Sequence, residues 1–210
     1  MSSEQEFATR FNGLLHAAGL SELDSDVCAR FHAYLSLLVR WNAKINLTAI
    51  REEEGILSRH FVESVECAQS IPRKVTNLLD FGSGGGFPGI PIAICRPEIA
   101  VSLAESQGRK AAFLREALRV LDVRAKVHAA RAETLVAPFD CVTMRAVDKM
   151  DQAVRAACGL VSPGGWLVVM CTEDHASRFE GLVGYDFAFV TRHRSAGSGN
   201  QVLLMARRAG

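Results

Sequence analysis

Apolar positions recur at helical spacing through the first 75 residues and then change to short runs. Phe7, Phe11, Leu14 and Leu15 share one face; Val27, Phe31, Tyr34, Leu35, Leu38 and Trp41 share a second; Ile56, Leu57, Phe61, Val65 and Ala68 share a third. Three amphipathic helices are expected. Gly19 supplies a stop for the first, Ser21 or Asp24 a cap for the second, and Pro72 an end for the third.

From residue 76 onward, short apolar runs alternate with helical stretches, the pattern of an α/β fold with a largely parallel sheet. Strands are predicted at about 76–81, 100–104, 126–129, 139–144, 165–171, 184–190 and 201–206, and helices at 88–95, 107–121, 150–159 and 173–180. Pro163-Gly164-Gly165 reads as a turn before the fifth strand. The stretch SAGSGN at 195–200 reads as a hairpin that makes the last two strands antiparallel. The expected organisation is a helical N-terminal extension, 1–75, followed by an α/β domain, 76–210.

At 210 residues and 49% hydrophobic composition, the chain can bury a sizeable core. Its apolar runs, such as Trp166 to Cys171, are far too short to cross a bilayer, and MSSEQEFATR lacks the order of a secretory signal. A soluble cytoplasmic protein without membrane attachment is expected. The 6 cysteines lie apart, with no CxxC pair and no neighbouring His at ligand spacing, so they read as buried small hydrophobes rather than metal ligands. A net charge of +1 argues against a free-standing nucleic-acid binder. A locally basic face remains open, either at Arg109, Lys110, Arg115 and Arg119, the last two at i, i+4 spacing, or at Arg192, His193 and Arg194.

The candidate chemistry sits in LLDFGSGGGFPGIPIAIC, residues 78–95. Two templates fit: D-x-G-x-G-x-G from Asp80 to Gly86, and G-x-G-x-x-G from Gly84 to Gly89. In an open parallel sheet this first strand-to-helix loop is the usual ligand cradle. A pyrophosphate needs free N–H groups at a helix N-terminus. Pro88 removes one of them, which costs little for S-adenosylmethionine, a cofactor without phosphate. Asp80 can act on a cationic methionine moiety directly or by ordering the loop. Glu105, at the end of the second strand, can accept both hydroxyls of a ribose. Ala132 and Glu133 follow the third strand, where an adenine would lie. Arg145 ends the fourth, as a residue of the crevice or of a surface ion pair. A nicotinamide-dependent oxidoreductase is the rival that the glycine spacing also permits.

Several segments together resemble the RsmG or GidB family of 16S rRNA guanine-N7 methyltransferases. They are WNAKINLTAI (41–50), RHFVES (59–64), LLDFGSGGGFPGIPIAI (78–94), ESQGRKAAFLRE (105–116), RAE (131–133) and FDCVTMRAV (139–147). The resemblance implies a Rossmann-like class I methyltransferase fold, a seven-stranded, mostly parallel sheet behind the helical extension. It also implies S-adenosylmethionine as cofactor and, as substrate, guanine 527 in the 530 loop of 16S rRNA, presented by the small ribosomal subunit or an assembly intermediate. By position it assigns cofactor contacts to Gly82, Phe87, Ala132, Glu133 and Arg145, which Gly84 and Glu105 join on the geometric grounds above. His60 and Ser64 match family positions that suit a core or interdomain hydrogen bond as well as an RNA contact. Cys171-Thr172 and Asp148-Lys149 depart from the family pattern at segments that border the expected RNA site. Neither an Asn/Asp-Pro-Pro-aromatic loop nor a Pro-Cys step is present, as methylation of exocyclic amines or of cytosine C5 would use. A non-catalytic assembly factor that keeps the cofactor fold is the non-enzymatic alternative.

Overall fold

A computed structural model describes residues 2–147, 149–184, 186–194 and 200–210, with only the backbone described for 191–194. Asp148, the predicted turn at 195–199 and the side chains of Arg192, His193 and Arg194 therefore lie outside the described residues. Helix α1 (Ser3–Ala17) begins in a capping box: Gln5 N–H donates to Ser2 Oγ at 3.3 Å and Ser2 N–H to Gln5 Oε1 at 2.8 Å. It ends at Gly19, whose φ of +70° lets Gly19 N–H reach His16 O and Leu20 N–H reach Leu15 O. Helix α2 (Ser25–Asn42) opens at Asp24, without a side-chain capping bond.

The third predicted helix is one run of three parts: α3 (Glu53–Ile56), a π-helical stretch Leu57–Val62, and α4 (Glu63–Ser70). Ile71, restricted by Pro72, is extended and ends it. The wider π turn rotates α4 about its axis. Besides the expected Ile56, Leu57, Phe61, Val65 and Ala68, the run buries Val62, Glu63, Ser64 and Glu66, which a 3.6-residue period leaves unexplained.

Seven strands follow: β1 (Asn77–Phe81), β2 (Ala100–Ala104), β3 (Ala125–His128), β4 (Phe139–Arg145), β5 (Val161–Thr172), β6 (Phe187–Arg194) and β7 (Gln201–Arg208). They lie in the order β3-β2-β1-β4-β5-β7-β6, and β7 pairs antiparallel with both β5 and β6 while the other pairings are parallel. Helices α5 (Gly89–Cys95), α6 (Gly108–Val120), α7 (Met150–Leu160) and α8 (Glu173–Glu180) link them. The Pro163-Gly164-Gly165 turn lies inside β5 rather than before it: the register steps from Phe139 opposite Val161 to Cys141 opposite Trp166, so the turn bulges out and pairing resumes.

The sheet is covered on both faces, which explains why its central strands are apolar without alternation. Along β1, Leu78 and Asp80 point to the face covered by α1, α2, α4, α5 and α6, while Leu79 and Phe81 point to the face covered by α7 and α8. The strand order reverses between β1 and β4. Their carboxyl ends therefore flank the crevice in which an open α/β sheet binds its ligand.

Candidate functional site

The loop after β1 is built around Asp80. Its side chain is fully buried; Oδ1 accepts from Thr143 Oγ1 at 3.1 Å and Oδ2 from Gly89 N–H at 3.2 Å. Burial pushes its carboxyl up to about 6, against the pull of the hydrogen bonds it accepts. Of the two roles open to Asp80, the structure shows loop ordering. Gly89 has no room for a side chain: a Cβ there would overlap Leu103 Cδ2 and lie 2.6 Å from Asp80 Oδ2. Gly86, at φ +92°, would bring a Cβ within 2.6 Å of both Ile90 Cδ1 and the Tyr34 hydroxyl. Gly84 is different, because a Cβ there would meet nothing nearer than Gly82 O at 3.8 Å.

Most of the loop's amides, including those at the start of α5, are engaged within the protein. Ser83 N–H donates to Ala104 O, Gly86 and Phe87 N–H to Ser83 O, Gly89 N–H to Asp80, and Ile90 N–H to Gly86 O. Gly84 N–H donates to Glu105 Oε2 at 2.9 Å. Pro88 and Pro91 have no N–H to offer, and the Phe87–Pro88 peptide bond is cis. A pyrophosphate would therefore find the start of α5 without free donors.

Glu105 stands at the end of β2, only 7% exposed, with Oε1 accepting from Gln107 N–H at 2.7 Å. Each oxygen already holds one backbone amide, which fixes the carboxylate, and each keeps lone-pair capacity for a further donor. Ala132 lies in a 3₁₀ turn, Ala132–Thr134, packed in the core with Phe81 and Ala104, the last residues of β1 and β2; Glu133 beside it is exposed. Thus Gly82, Gly84, Phe87, Glu105, Ala132 and Glu133 all come to the carboxyl edge of the sheet.

Arg145 sits at the same edge but turns to the helical extension. Its Nη2 donates to Glu63 Oε2 at 2.6 Å and to Arg59 O at 2.7 Å, and the two paired side chains are 11% and 1% exposed. The ion pair is buried rather than superficial. Ala146 beyond it has φ +47°, a strained conformation for a residue with a side chain, and Val147 packs against Gly82.

The extension also grips the glycine loop. The Tyr34 hydroxyl donates to Gly85 O. His60, in the π stretch, stacks on Phe87 with ring centroids 4.6 Å apart and shares a 2.6 Å hydrogen bond with Thr48 Oγ1 through Nε2. Asn42 clamps that segment: its Oδ1 accepts from Leu47 and Thr48 N–H, and its Nδ2 donates to Thr48 O. Burial, with the Arg145 and Arg59 cations, lowers the His60 imidazole to about 3, so it is neutral at physiological pH. His60 thus makes a hydrogen bond within the N-terminal helical segment and a ring contact with the glycine loop, a packed position of the kind the sequence left as one of two options. His60 Nδ1, Ser64 Oγ and Arg145 Nη1 are buried and unpartnered, three of four such atoms among the described residues. Sequence reasoning missed Tyr34 as a loop contact and Glu63 as the partner of Arg145; RHFVES was the available signal for the latter.

A glycine loop after β1, a carboxylate at the end of β2 and an antiparallel β7 inserted between β5 and β6 define a class I, Rossmann-like methyltransferase fold. Solved structures agree on the fold: a ribosomal protein L11 methylase from Lactobacillus delbrueckii subsp. bulgaricus superposes with a TM-score of 0.62 at 11% identity, covering 72% of this chain and 79% of that one. TYW2 from P. horikoshii in complex with MeSAdo gives 0.58 at 19% identity, covering 70% and 62%. The chain belongs to the GidB family, rRNA small subunit methyltransferase G, whose model matches residues 27–182. A ribosomal RNA small subunit methyltransferase G from Xanthomonas oryzae pv. oryzae (strain MAFF 311018) is 44% identical over 151 residues, 70% of each chain. One of the same name from Roseiflexus sp. (strain RS-1) is 47% identical over 135 residues, 61% of this chain and 58% of that protein.

Proposed function

We propose that this chain methylates N7 of a guanine in the 530 loop of 16S rRNA, with S-adenosylmethionine as donor, in the cytoplasm where small subunits are assembled. The observation that carries the cofactor is that the amides at the start of α5 are engaged within the protein or replaced by proline, which suits a ligand without phosphate and disfavours a dinucleotide. The open space over Gly84 and the fixed carboxylate of Glu105 fit the same ligand. In this reading Gly82, Gly84 and Phe87 line the methionine end and Glu105 accepts from the ribose hydroxyls. Ala132 and Glu133 border the adenine. The buried, unpartnered Nη1 of Arg145 suits the carboxylate of the amino-acid end.

When bound, S-adenosylmethionine supplies a methyl group on a positively charged sulfur. Guanine N7 has an in-plane lone pair and no proton, so no side chain has to remove one. The chain's task is to hold two partners in line and exclude water, which supplies on the order of 7–11 kcal/mol. His60, neutral and fixed between Thr48 and Phe87, positions the loop rather than moving a proton.

The test is methyl transfer from labelled S-adenosylmethionine to small subunits from a strain lacking the gene, read by mass spectrometry of the 16S rRNA. 7-Methylguanosine in the 530 loop is expected; methylation at another atom, or none, refutes the assignment. Calorimetry with S-adenosylmethionine and NADH separates this enzyme from the oxidoreductase. The rate should be flat from about pH 7 to 9, with a bell centred near 7 contradicting a base-free transfer.

A further inference from the structure

A groove of about 580 Å³ opens between the end of α2 and the outer face of α6, lined by Arg40, Trp41, Lys44, Ile45, Arg109 and Glu116. Its size is that of a small-molecule site, sufficient for a nucleotide. Three cations face one carboxylate there, and that carboxylate is paired with Arg40 at 3.2 Å, although the whole chain carries only +1. Trp41 is half-buried, resting edge-on against Phe113 with centroids 5.7 Å apart.

The groove is tied to the cofactor loop at both ends. The chain leaves Gly85 at Tyr34, whose hydroxyl bonds its carbonyl, and returns at Leu47, whose carbonyl would lie 3.4 Å from a Cβ on Gly85. Seven residues of helix separate Tyr34 from Trp41, about 10 Å, or some three phosphate spacings of a stacked strand. On the α6 side, Arg109 follows Gln107, whose amide holds Glu105.

We propose, resting on the function above, that this groove docks the single-stranded RNA flanking the target guanine, with Lys44 and Arg109 on phosphates and Trp41 against a base. Cationic side chains beside an aromatic plane are what an unpaired strand requires, since phosphates supply the charge and every base has a face to stack. Of the basic residues expected on α6, Arg109 lines the groove with Ala112 and Glu116, whereas Arg115 and Arg119 are exposed and lie outside its lining.

Trp41 also supplies the readout, because the only other tryptophan, Trp166, is buried at 9% exposure. A short single-stranded oligoribonucleotide should quench its emission. The double variant Lys44→Glu/Arg109→Glu should bind that RNA roughly tenfold more weakly at physiological salt, and its slope of log K against log salt should be lower by about 1.4, because two phosphates are no longer neutralised. Its KM for the small subunit should rise similarly while its affinity for S-adenosylmethionine and its thermal unfolding stay unchanged. Arg115→Glu/Arg119→Glu should leave RNA affinity and KM alone. An unchanged salt slope and KM in the first variant, an effect confined to the second, or equal quenching by duplex RNA or an acidic peptide overturns the docking site. Wild-type protein that shows the quench and the charge dependence but transfers no methyl group would refute the function and leave the docking site standing. Normal transfer with no groove effect would do the reverse.

Discussion

The two faces of the sheet are built from different materials. On the face of α7 and α8 the core is mostly aliphatic and small, with Ala153, Val154, Ala157, Leu167, Val169 and Ala176; its phenylalanines, Phe81, Phe139 and Phe179, stand apart, and among the described residues the one ring–ring contact is His175 on Phe179. On the opposite face, rings pass contact from the N-terminal helices to the cofactor loop: Phe11 to Phe31 at 5.0 Å, Phe31 to Phe61 at 5.1 Å, Phe61 to Tyr34 at 5.3 Å, and Tyr34 to Phe87 at 5.5 Å. One face closes the fold; the other also positions the site. The extension belongs to the same core as the strands that carry the glycine loop.

Truncating one ring on each face tests that difference most strongly. Phe61→Ala and Phe179→Ala should each cost about 3–5 kcal/mol in denaturant unfolding. Only Phe61→Ala should also weaken S-adenosylmethionine binding in calorimetry, since only Phe61 packs against Tyr34 and Phe87. Equal loss of affinity in both would erase the distinction.

Asp80→Asn comes next. Its carboxyl rises from 3.8 unfolded to about 6 folded, so its favourable contribution is fully present below pH 3.8 and is lost as pH rises through 6. The shift corresponds to about 3 kcal/mol. The wild type should lose stability over that window by up to this amount relative to Asp80→Asn, as measured by unfolding at a series of pH values. The variant can still fold: its amide oxygen accepts from Gly89 N–H, while its amide nitrogen donates to Thr143 Oγ1, which is 3.5 Å from Leu79 O.

Tyr34→Phe keeps the ring and removes the hydroxyl, leaving Gly85 O without its partner. A loss of about 1–2 kcal/mol is expected, with weaker cofactor binding as the loop loosens; unchanged affinity would mean the ring stack alone holds it. The smallest effect belongs to Arg10, whose ion pairs with Glu53 and Glu54 tie α1 to α3 among exposed side chains. Arg10→Ala should change stability by less than about 1 kcal/mol and leave the cofactor site untouched.

Local patterning made most of this legible in advance. Each predicted strand and helix after residue 76 has a counterpart displaced by a few residues, because strand alternation, helix period and glycine or proline punctuation act over one or two turns of chain. The bulge at Gly164 and Gly165 inside β5 was not legible, since a turn signal does not say whether pairing resumes beyond it. The π stretch was hidden for a similar reason: Leu57, Phe61 and Val65 satisfy an ordinary helical period, so the extra residue in the turn leaves no trace in spacing.

The residues of the chain alone determined the class of fold, the glycine loop, the carboxylate at Glu105 and the family they resemble. The glycine loop and the carboxylate depend on spacing within about 30 residues, the length of one βαβ unit, and the resemblance on short segments each legible by itself in chain order. The tertiary structure alone decided that Asp80 orders the loop from beneath and that Arg145 pairs with Glu63 across 82 positions. It also decided that Tyr34 and His60 brace Gly85 and Phe87 from the N-terminal helices. Which polar groups meet across such separations is set by how two amphipathic layers pack. Periodicity tells which face of a helix is buried, not what that face will touch.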